Sequence, residues 1–251
     1  MARLAYEGTA YNGFQRQAKG LPTIQASVED ALTTVAHHPI GCMGAGRTDT
    51  GVHANGQVIM WDMEWQHPVH RLLQALNHYL PPDIALQQIG VADHQFHVRF
   101  DALSRTYLYR VYTAPARDPL RDRFAWHWFT PLAIETMSMA AEVLIGEHDF
   151  ATFGQPPQGT NTIRHVYAIA VEPSGDEIRV SITANAFLQR MVRSIVGTLI
   201  DVGRGKMSLE QFKEAFWAAD RSQAGPSAPA HGLTLTHVAY HNANMENQDE
   251  V

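Results

Sequence analysis

Alternating apolar residues and apolar residues at helical spacing follow one another along the first hundred residues. Alternation predicts strands at Arg3–Glu7, Gly56–Asp62 and Ile84–Ala92. Helical spacing follows Thr23, a helix N-cap candidate, and Pro68, which can open a second helix. The pattern therefore predicts the order β-α-β-α-β for this part of the chain.

The second half mixes strands and helices less regularly. Its predicted elements are strands at Arg105–Thr113 and Leu233–Tyr240, a hairpin of Val166–Val171 with Ile178–Ile182, and helices from Thr130, over Phe187–Val202 and from the capping-box residue Ser208. Because strict β-α alternation is missing, we predict an α+β fold of two related halves with mainly antiparallel strands that share a sheet. We assign residues 1–101 to the N-terminal half, 102–241 to the C-terminal half, and 242–251 to a polar acidic tail predicted to be disordered.

The composition narrows the class of protein. Hydrophobic residues make up 45% of the 251 positions, which excludes wholesale disorder, and charged residues interrupt every apolar stretch too early for a membrane span. Cys42 is the single cysteine, so an internal disulfide and a cysteine-based zinc cluster are excluded. The first residues lack the apolar stretch of a secretion signal, and we expect a cytoplasmic protein.

The charge is acidic on average but unevenly placed. The formal net charge is −6, yet sixteen of the 19 basic residues are arginines, and six of them fall between Arg99 and Arg123 against three aspartates. The planar guanidinium suits phosphate groups and base edges. Both a solvated arginine-rich face and a focused basic cleft agree with this pattern.

The segment Gly44–Ala54 carries the densest chemical signal. Its glycines permit tight turns that can bring Asp49 to a cleft edge, and the nearby Arg47 favours the ionised carboxylate. Such an aspartate can act as a nucleophile or base, although an Asp–Arg pair also commonly pins a loop. Asp49-Thr50-Gly51 spells the aspartic-protease triplet, but that chemistry needs a second carboxylate that shares a proton, which Arg47 opposes. The histidines form no recognised ligand set, and we assign no metal.

Four segments together resemble the tRNA pseudouridine synthase A family. They occur in the family's order, and the Gly-Arg-Thr-Asp-Thr-Gly-Val-His-Ala stretch is highly specific. The segments are Tyr6–Gln17, Gly46–Ala54, Ser104–Arg110 and Asn185–Arg193.

The resemblance implies an isomerase that converts uridine to pseudouridine in the anticodon stem-loop of tRNA, at positions 38–40. It also implies a homodimer that grips tRNA, catalytic clefts between the two halves of each chain, and neither cofactor nor metal. Asp49 matches the family's catalytic nucleophile. The implied substrate-binding residues are Arg47 beside the extruded base, Tyr107 stacked on the uracil, Arg193 near the aspartate, and Leu233 along the uracil pocket.

Two other functions stay open from the residues alone. A non-catalytic RNA-binding module would use the same folded sheet without needing the Asp49 carboxylate, and a dimeric aspartic protease would need acid-dependent peptide cleavage. The sequence leaves open whether Asp49 attacks C1′ or C6, which anticodon-arm uridines are modified, and how a dimer packs.

Overall fold

The computed structural model describes residues 1–18, 20–156 and 159–241, and it confirms the α+β fold. The predicted acidic tail, residues 242–251, lies outside the described residues. The described helices are α1 Ile24–Ala36, α2 Val69–Tyr79, α3 Ile134–Glu142, α4 Met191–Gly203 and α5 Leu209–Trp217. The described strands are β1 Ala2–Tyr6, β2 Met43–Gly44, β3 His53–Met60, β4 Ile84–Ile89, β5 Ala102–Thr113, β6 Trp126–Trp128, β7 Gly146–Asp149, β8 Ile163–Ser174, β9 Glu177–Ala184 and β10 Leu233–Tyr240.

The chain divides into two compact units. The first contains Met1–Leu103 together with the chain from Leu235 onward, and the second contains Ser104–Thr234. Most of β10 therefore belongs to the first unit, whereas the boundary drawn from the sequence leaves this strand in the C-terminal half. Local patterns mark the strand itself but carry no information about a partner strand far away in sequence.

The first unit has the strand order β4-β1-β3-β10, with β2 paired to β3. Strand β1 runs antiparallel to both β3 and β4. The predicted N-cap of α1 is confirmed, because the Thr23 side chain accepts a hydrogen bond from the Ala26 N–H. Helix α2 buries Leu72 and Leu76, as its predicted apolar stripe requires.

The second unit has the strand order β5-β9-β8-β7. All three pairs of neighbouring strands in this order are antiparallel. Along β5, the buried side chains of Tyr107, Tyr109 and Val111 alternate with the half-buried Leu108 and Arg110. The predicted capping box of α5 is confirmed: Ser208 and Gln211 each accept from the other's backbone N–H.

Helix α4 begins at Met191, four residues later than the predicted start at Phe187. The backbone of Gln189 forms a bridge to Gln155, with Gln189 N donating to the Gln155 carbonyl at 2.9 Å. Arg190 then has a left-handed φ of 63°. These contacts hold the residues before Met191 out of the helix, and Arg190 is its N-cap.

No helix in the described parts of the chain combines the length and the apolar character needed to cross a membrane.

Candidate active site

Arg47 and Asp49 lie in the hairpin loop that connects β2 to β3. The strands pair with Gly44 opposite Ile59, and the ladder continues where Ala45 N donates to the Val58 carbonyl at 2.8 Å. The loop closes where Val52 N donates to the Asp49 carbonyl at 3.1 Å. We call residues 45–52 the Asp49 loop.

The Asp49 loop buries some side chains and presents others to solvent. Ala45 and Thr48 are buried, Arg47 is exposed, and Asp49 is half-buried. An exposed guanidinium two residues from a partly accessible carboxylate suits a polyanionic ligand, because the cation attracts phosphate.

A second loop, residues 8–17, packs against the Asp49 loop. Phe14 N donates to the Thr48 carbonyl at 3.0 Å. Gly13 has a φ of +87°, and a Cβ there would lie 2.7 Å from the Thr48 oxygen. A Cβ on Gly44 would lie 2.5 Å from the Phe14 ring. Both glycines are therefore required for the close approach of the two loops.

The second loop is in turn fixed by polar contacts at both of its ends. Gly8 N donates to the Nδ1 atom of the buried His53 at 3.0 Å. At the other end, Arg16 Nε lies 2.5 Å from the carboxylate of Glu29 on α1. Glu29 is itself buried and accepts from Cys42 N at 3.1 Å. A buried carboxylate with a cation and backbone donors is stable, so this pair ties the loop to α1.

Sequence reasoning missed two buried polar residues below the Asp49 loop. The Tyr6 hydroxyl lies 2.8 Å from the Thr48 hydroxyl, and the Gln57 side-chain amide donates to the Gly46 carbonyl at 2.9 Å. Gln57 is fully buried. The one available signal was a glutamine beside the apolar run Val58–Met60 of β3, since a buried amide must find partners.

Tyr107 lies in the second unit, on β5 opposite Ile182 of β9. Its side chain is buried, and its ring packs edge-on against Phe187 with the ring centroids 5.0 Å apart. An aromatic pair of this geometry fixes the orientation of both rings.

Arg193 and Leu233 lie on either side of one loop of the second unit, residues 225–232. Arg193 Nε donates to the Ala228 carbonyl at 2.7 Å, and Ala228 N donates back to the Arg193 carbonyl at 2.9 Å. Leu233 is 5% exposed and follows Gly232, where a Cβ would lie 2.6 Å from the Tyr109 ring. Both residues are therefore held by the same loop.

Tyr109 connects these positions within the second unit. Its hydroxyl donates to the Pro229 carbonyl at 2.8 Å. Burial raises the pKa of the Tyr109 hydroxyl, and the nearby charge of Arg193 offsets part of that rise. The second unit thus gathers Arg193, Leu233 and the face of β5 that carries Tyr107, while Arg47 and Asp49 lie in one loop of the first unit.

Part of the arginine-rich stretch serves the fold. Arg121 bridges both carboxylate oxygens of Asp176, at 2.6 and 3.0 Å, and its guanidinium lies 4.3 Å from the Tyr112 ring centroid. Arg105 donates to the Asn185 carbonyl at 2.8 Å. By contrast, the side chain of Arg117 is 75% exposed, and its guanidinium lies 3.6 Å from the Asp122 carboxylate. The stretch is therefore a mixture of structural and solvent-facing cations.

No cluster of three or more His, Cys, Asp or Glu side chains among the described residues has an arrangement that could hold a metal ion.

The chain matches the tRNA pseudouridine synthase family over residues 2–101 and 140–241. The tRNA pseudouridine synthase A of Brevibacillus brevis is 42% identical over 238 residues, which cover 94% of this chain and 97% of the relative. The corresponding proteins of Bacillus subtilis and Syntrophotalea carbinolica are 40% and 38% identical over 95% and 94% of this chain, and over 98% and 94% of their own. A solved Cbf5-Nop10-Gar1 complex aligns with 95% of this chain and 58% of its own at 11% identity and a TM-score of 0.33, too low to support a conclusion.

The family match extends over most of the chain and includes the Asp49 loop, and relatives near 40% identity cover almost its full length. The chain therefore belongs to the tRNA pseudouridine synthase family.

Proposed function

We propose that this protein isomerises uridine to pseudouridine in tRNA, with Asp49 as the nucleophile. The observation that carries the proposal is the Asp49 loop, which presents a half-buried carboxylate beside the exposed Arg47 in a member of the tRNA pseudouridine synthase family. The relatives named above share this chain's length and carry the name tRNA pseudouridine synthase A, which supports the same activity here.

The reaction needs a group that bonds to the nucleotide and then leaves. The bond between N1 and C1′ breaks, the uracil turns, C5 bonds to C1′, and the hydrogen on C5 is lost as a proton while N1 gains one. Substrate and product have the same atoms, so no oxidant, reductant or group donor is required. A carboxylate can bond to C1′ or to C6 and depart again, and we propose that Asp49 does one of the two.

The target base must leave the RNA stack before it can react. Extruding a base costs roughly a few kcal/mol, which contacts with the flipped nucleotide have to offset. We propose that the exposed Arg47 binds the extruded nucleotide and its backbone, that the Tyr107 ring stacks on the uracil, that Arg193 supplies a further cation, and that Leu233 contacts the apolar side of the base.

The proposal extends to the finer identity of the substrate and the assembly. The resemblance of the four sequence segments supports uridines 38–40 of the anticodon stem-loop as targets, a homodimer that holds the tRNA, and a cytoplasmic location. The experiment below separates the target positions and the dimer from the basic activity.

The test is an incubation of the purified protein with unmodified tRNA transcripts. Mass spectrometry of nuclease fragments should find pseudouridine at positions 38–40, and transcripts with cytidine at those positions should yield none. Pseudouridine elsewhere would overturn the anticodon assignment alone. A complete absence of pseudouridine from every transcript would overturn the proposed activity. Light scattering should find twice the mass of one chain if the dimer is right.

A further inference from the structure

Three buried polar side chains lie in the Asp49 loop or directly beneath it. Tyr6 on β1 is 4% exposed, Gln57 on β3 is fully buried, and Thr48 in the loop is 7% exposed. We call them the Tyr6–Gln57–Thr48 network. Polar groups buried this deeply have to be hydrogen-bonded, because each unpaired one would be destabilising.

The hydrogen bonds of Gln57 fix the direction of the network. Its carbonyl oxygen accepts from Val58 N at 3.2 Å, so the amide nitrogen faces the loop and donates to the Gly46 carbonyl at 2.9 Å. Gln57 also hydrogen-bonds the Tyr6 hydroxyl. Since a side-chain amide offers two N–H groups, one amide can serve both Gly46 and Tyr6.

The Tyr6 hydroxyl links the network to Thr48 in the Asp49 loop. Burial raises the pKa of Tyr6 to about 12, while its hydrogen bonds with Thr48 and Gln57 act to lower it. The Tyr6 and Thr48 hydroxyl oxygens lie 2.8 Å apart, and either hydroxyl can donate to the other. At ordinary pH the phenol is therefore protonated and able to donate.

The network meets the loop on both sides of Arg47 and directly before Asp49. Gly46 precedes Arg47, and Thr48 lies between Arg47 and Asp49. We propose that the Tyr6–Gln57–Thr48 network positions Asp49 for reaction, with Tyr6 as a positioning residue that acts through Thr48. This inference rests on the proposed function, because it assumes that Asp49 is the reacting group.

Hydrogen bonds are directional, whereas apolar packing tolerates small shifts and rotations. Loss of the Tyr6 hydroxyl would leave Thr48 without this partner and let the loop relax around its remaining backbone bonds. Displacement of a reacting group by about 1 Å can slow a reaction roughly 100-fold without any change in substrate binding. The network should therefore matter for the rate of the chemical step more than for tRNA affinity.

The decisive variant is Tyr6→Phe, which removes the hydroxyl oxygen and keeps the aromatic ring. The centroid of that ring lies 6.4 Å from the centroid of the Phe14 ring. We expect the single-turnover rate of pseudouridine formation to fall roughly 10- to 100-fold, with the tRNA dissociation constant within about twofold of wild type. Tyr240→Phe is the matched control, because it also deletes a tyrosine hydroxyl from the first unit, one that donates to the Val98 carbonyl at 2.7 Å. This control should keep the wild-type rate.

Thr48→Val is the second variant, and it removes the other hydroxyl at nearly constant volume. If the two hydroxyls act as one unit, the effects of removing them should not multiply. The double variant Tyr6→Phe with Thr48→Val should then be no slower than the slower of the two single variants. Circular dichroism and thermal unfolding of each variant establish the folded fraction, to which the rates are normalised.

The outcomes separate the inference from the proposed function. A wild-type rate in folded Tyr6→Phe, a rate loss no larger than the loss of folded protein, or multiplicative effects in the double variant would overturn the positioning role while wild-type protein still makes pseudouridine. A wild-type protein that makes no pseudouridine would instead overturn the proposed function itself.

Discussion

Arg47 is exposed and Asp49 half-buried because Thr48, the residue between them, is held inward. Thr48 is buried between them and is anchored twice, by its hydroxyl to Tyr6 and by its carbonyl to Phe14 N. A single residue with two fixed contacts therefore sets the direction of the residues on both sides. The exposure of Arg47 and Asp49 therefore follows from the backbone geometry of the Asp49 loop.

The Tyr107 hydroxyl is predicted to contribute to the chemistry and its ring to substrate binding. In Tyr107→Phe the aromatic stack is kept, so tRNA affinity should stay within a few-fold of wild type, while loss of a proton-transfer group should slow product formation roughly 10²-fold or more. Rapid-quench assays with excess enzyme, beside filter binding, measure the two quantities. Equal rates for Tyr107→Phe and wild type would limit the role to stacking, which Tyr107→Ala would then reveal.

Cys42 is predicted to be inert in the folded protein. Burial and the nearby Glu29 raise the pKa of its thiol to about 12, with Arg16 acting in the opposite direction. At pH 8 only about one thiol in ten thousand is then ionised. Iodoacetamide followed by mass spectrometry should label the denatured protein within minutes and the native protein hardly at all.

The same shift predicts a sign for the effect of pH on stability. Because the folded pKa is raised above its ordinary value of 9.0, the folded state holds this proton more tightly. The contribution to the free energy of unfolding is complete below pH 9 and is lost as the pH rises toward 12. Fast labelling of native protein at pH 8 would contradict both expectations.

At the scale of elements, helix α4 depends on a glycine rather than on helix propensity. A Cβ on Gly197 would lie 1.8 Å from the Pro226 carbonyl oxygen. Close by, the Ser194 and Ser227 hydroxyls are 2.9 Å apart and Gly225 N donates to the Thr198 hydroxyl at 3.0 Å. The loop 225–232, which also binds Arg193, therefore lies directly on the helix backbone.

Gly197→Ala should consequently destabilise the protein, although alanine is the better helix former by about 1 kcal/mol. We expect the free energy of unfolding to fall by about 1–3 kcal/mol, because the carbonyl of Pro226 has to move. Urea unfolding measures the change. Gly90→Ala is the control: a Cβ there meets no atom within 4 Å, and its effect should stay within about 0.5 kcal/mol. A Gly197→Ala protein as stable as the control would contradict the packing argument.

Long periodic elements were predictable from the sequence, and short ones were not. The helix after Thr23, the capping box at Ser208 and the last strand, Leu233–Tyr240, all lie where their patterns indicate. Strands β2, β6 and β7 have two to four residues, too few for any periodicity to show, and they exist only through their partners. The late start of α4 has the same origin, since the bridge of Gln189 to Gln155 overrides local preference.

The candidate site follows the same division. Asp49 and Arg47 could be found because the chemistry needs those residue types within one glycine-rich segment. Tyr6 and Gln57 could not, since their role depends on β1 and β3 lying side by side, and nothing near either residue in the sequence indicates a common partner. Tyr6 lies within one of the four segments that resemble the family, yet only the sheet reveals its contact with Thr48.

At the scale of the whole molecule, a net charge of −6 has to be reconciled with a polyanionic substrate. The arginines provide the solution, because some of them, such as Arg121, are paired with carboxylates while others, such as Arg47, are exposed to solvent. Local placement then governs encounter with RNA, and the average charge chiefly affects solubility.

Binding of tRNA should accordingly weaken with salt. Even two neutralised phosphates would reduce the affinity roughly tenfold between 50 and 200 mM KCl, because bound counterions are released. Filter binding or fluorescence anisotropy across that range measures the slope. An affinity that does not change with salt would contradict a phosphate-based interface.

The central claim, that the Asp49 carboxylate carries the chemistry, is tested most directly by Asp49→Asn with tRNA labelled with tritium at C5 of uridine. The side chain keeps its size and loses its charge, so the protein should still fold and bind tRNA. Tritium release, which accompanies the new bond to C5, should fall by roughly 10³-fold or more. Release at the wild-type rate from folded Asp49→Asn would contradict the account.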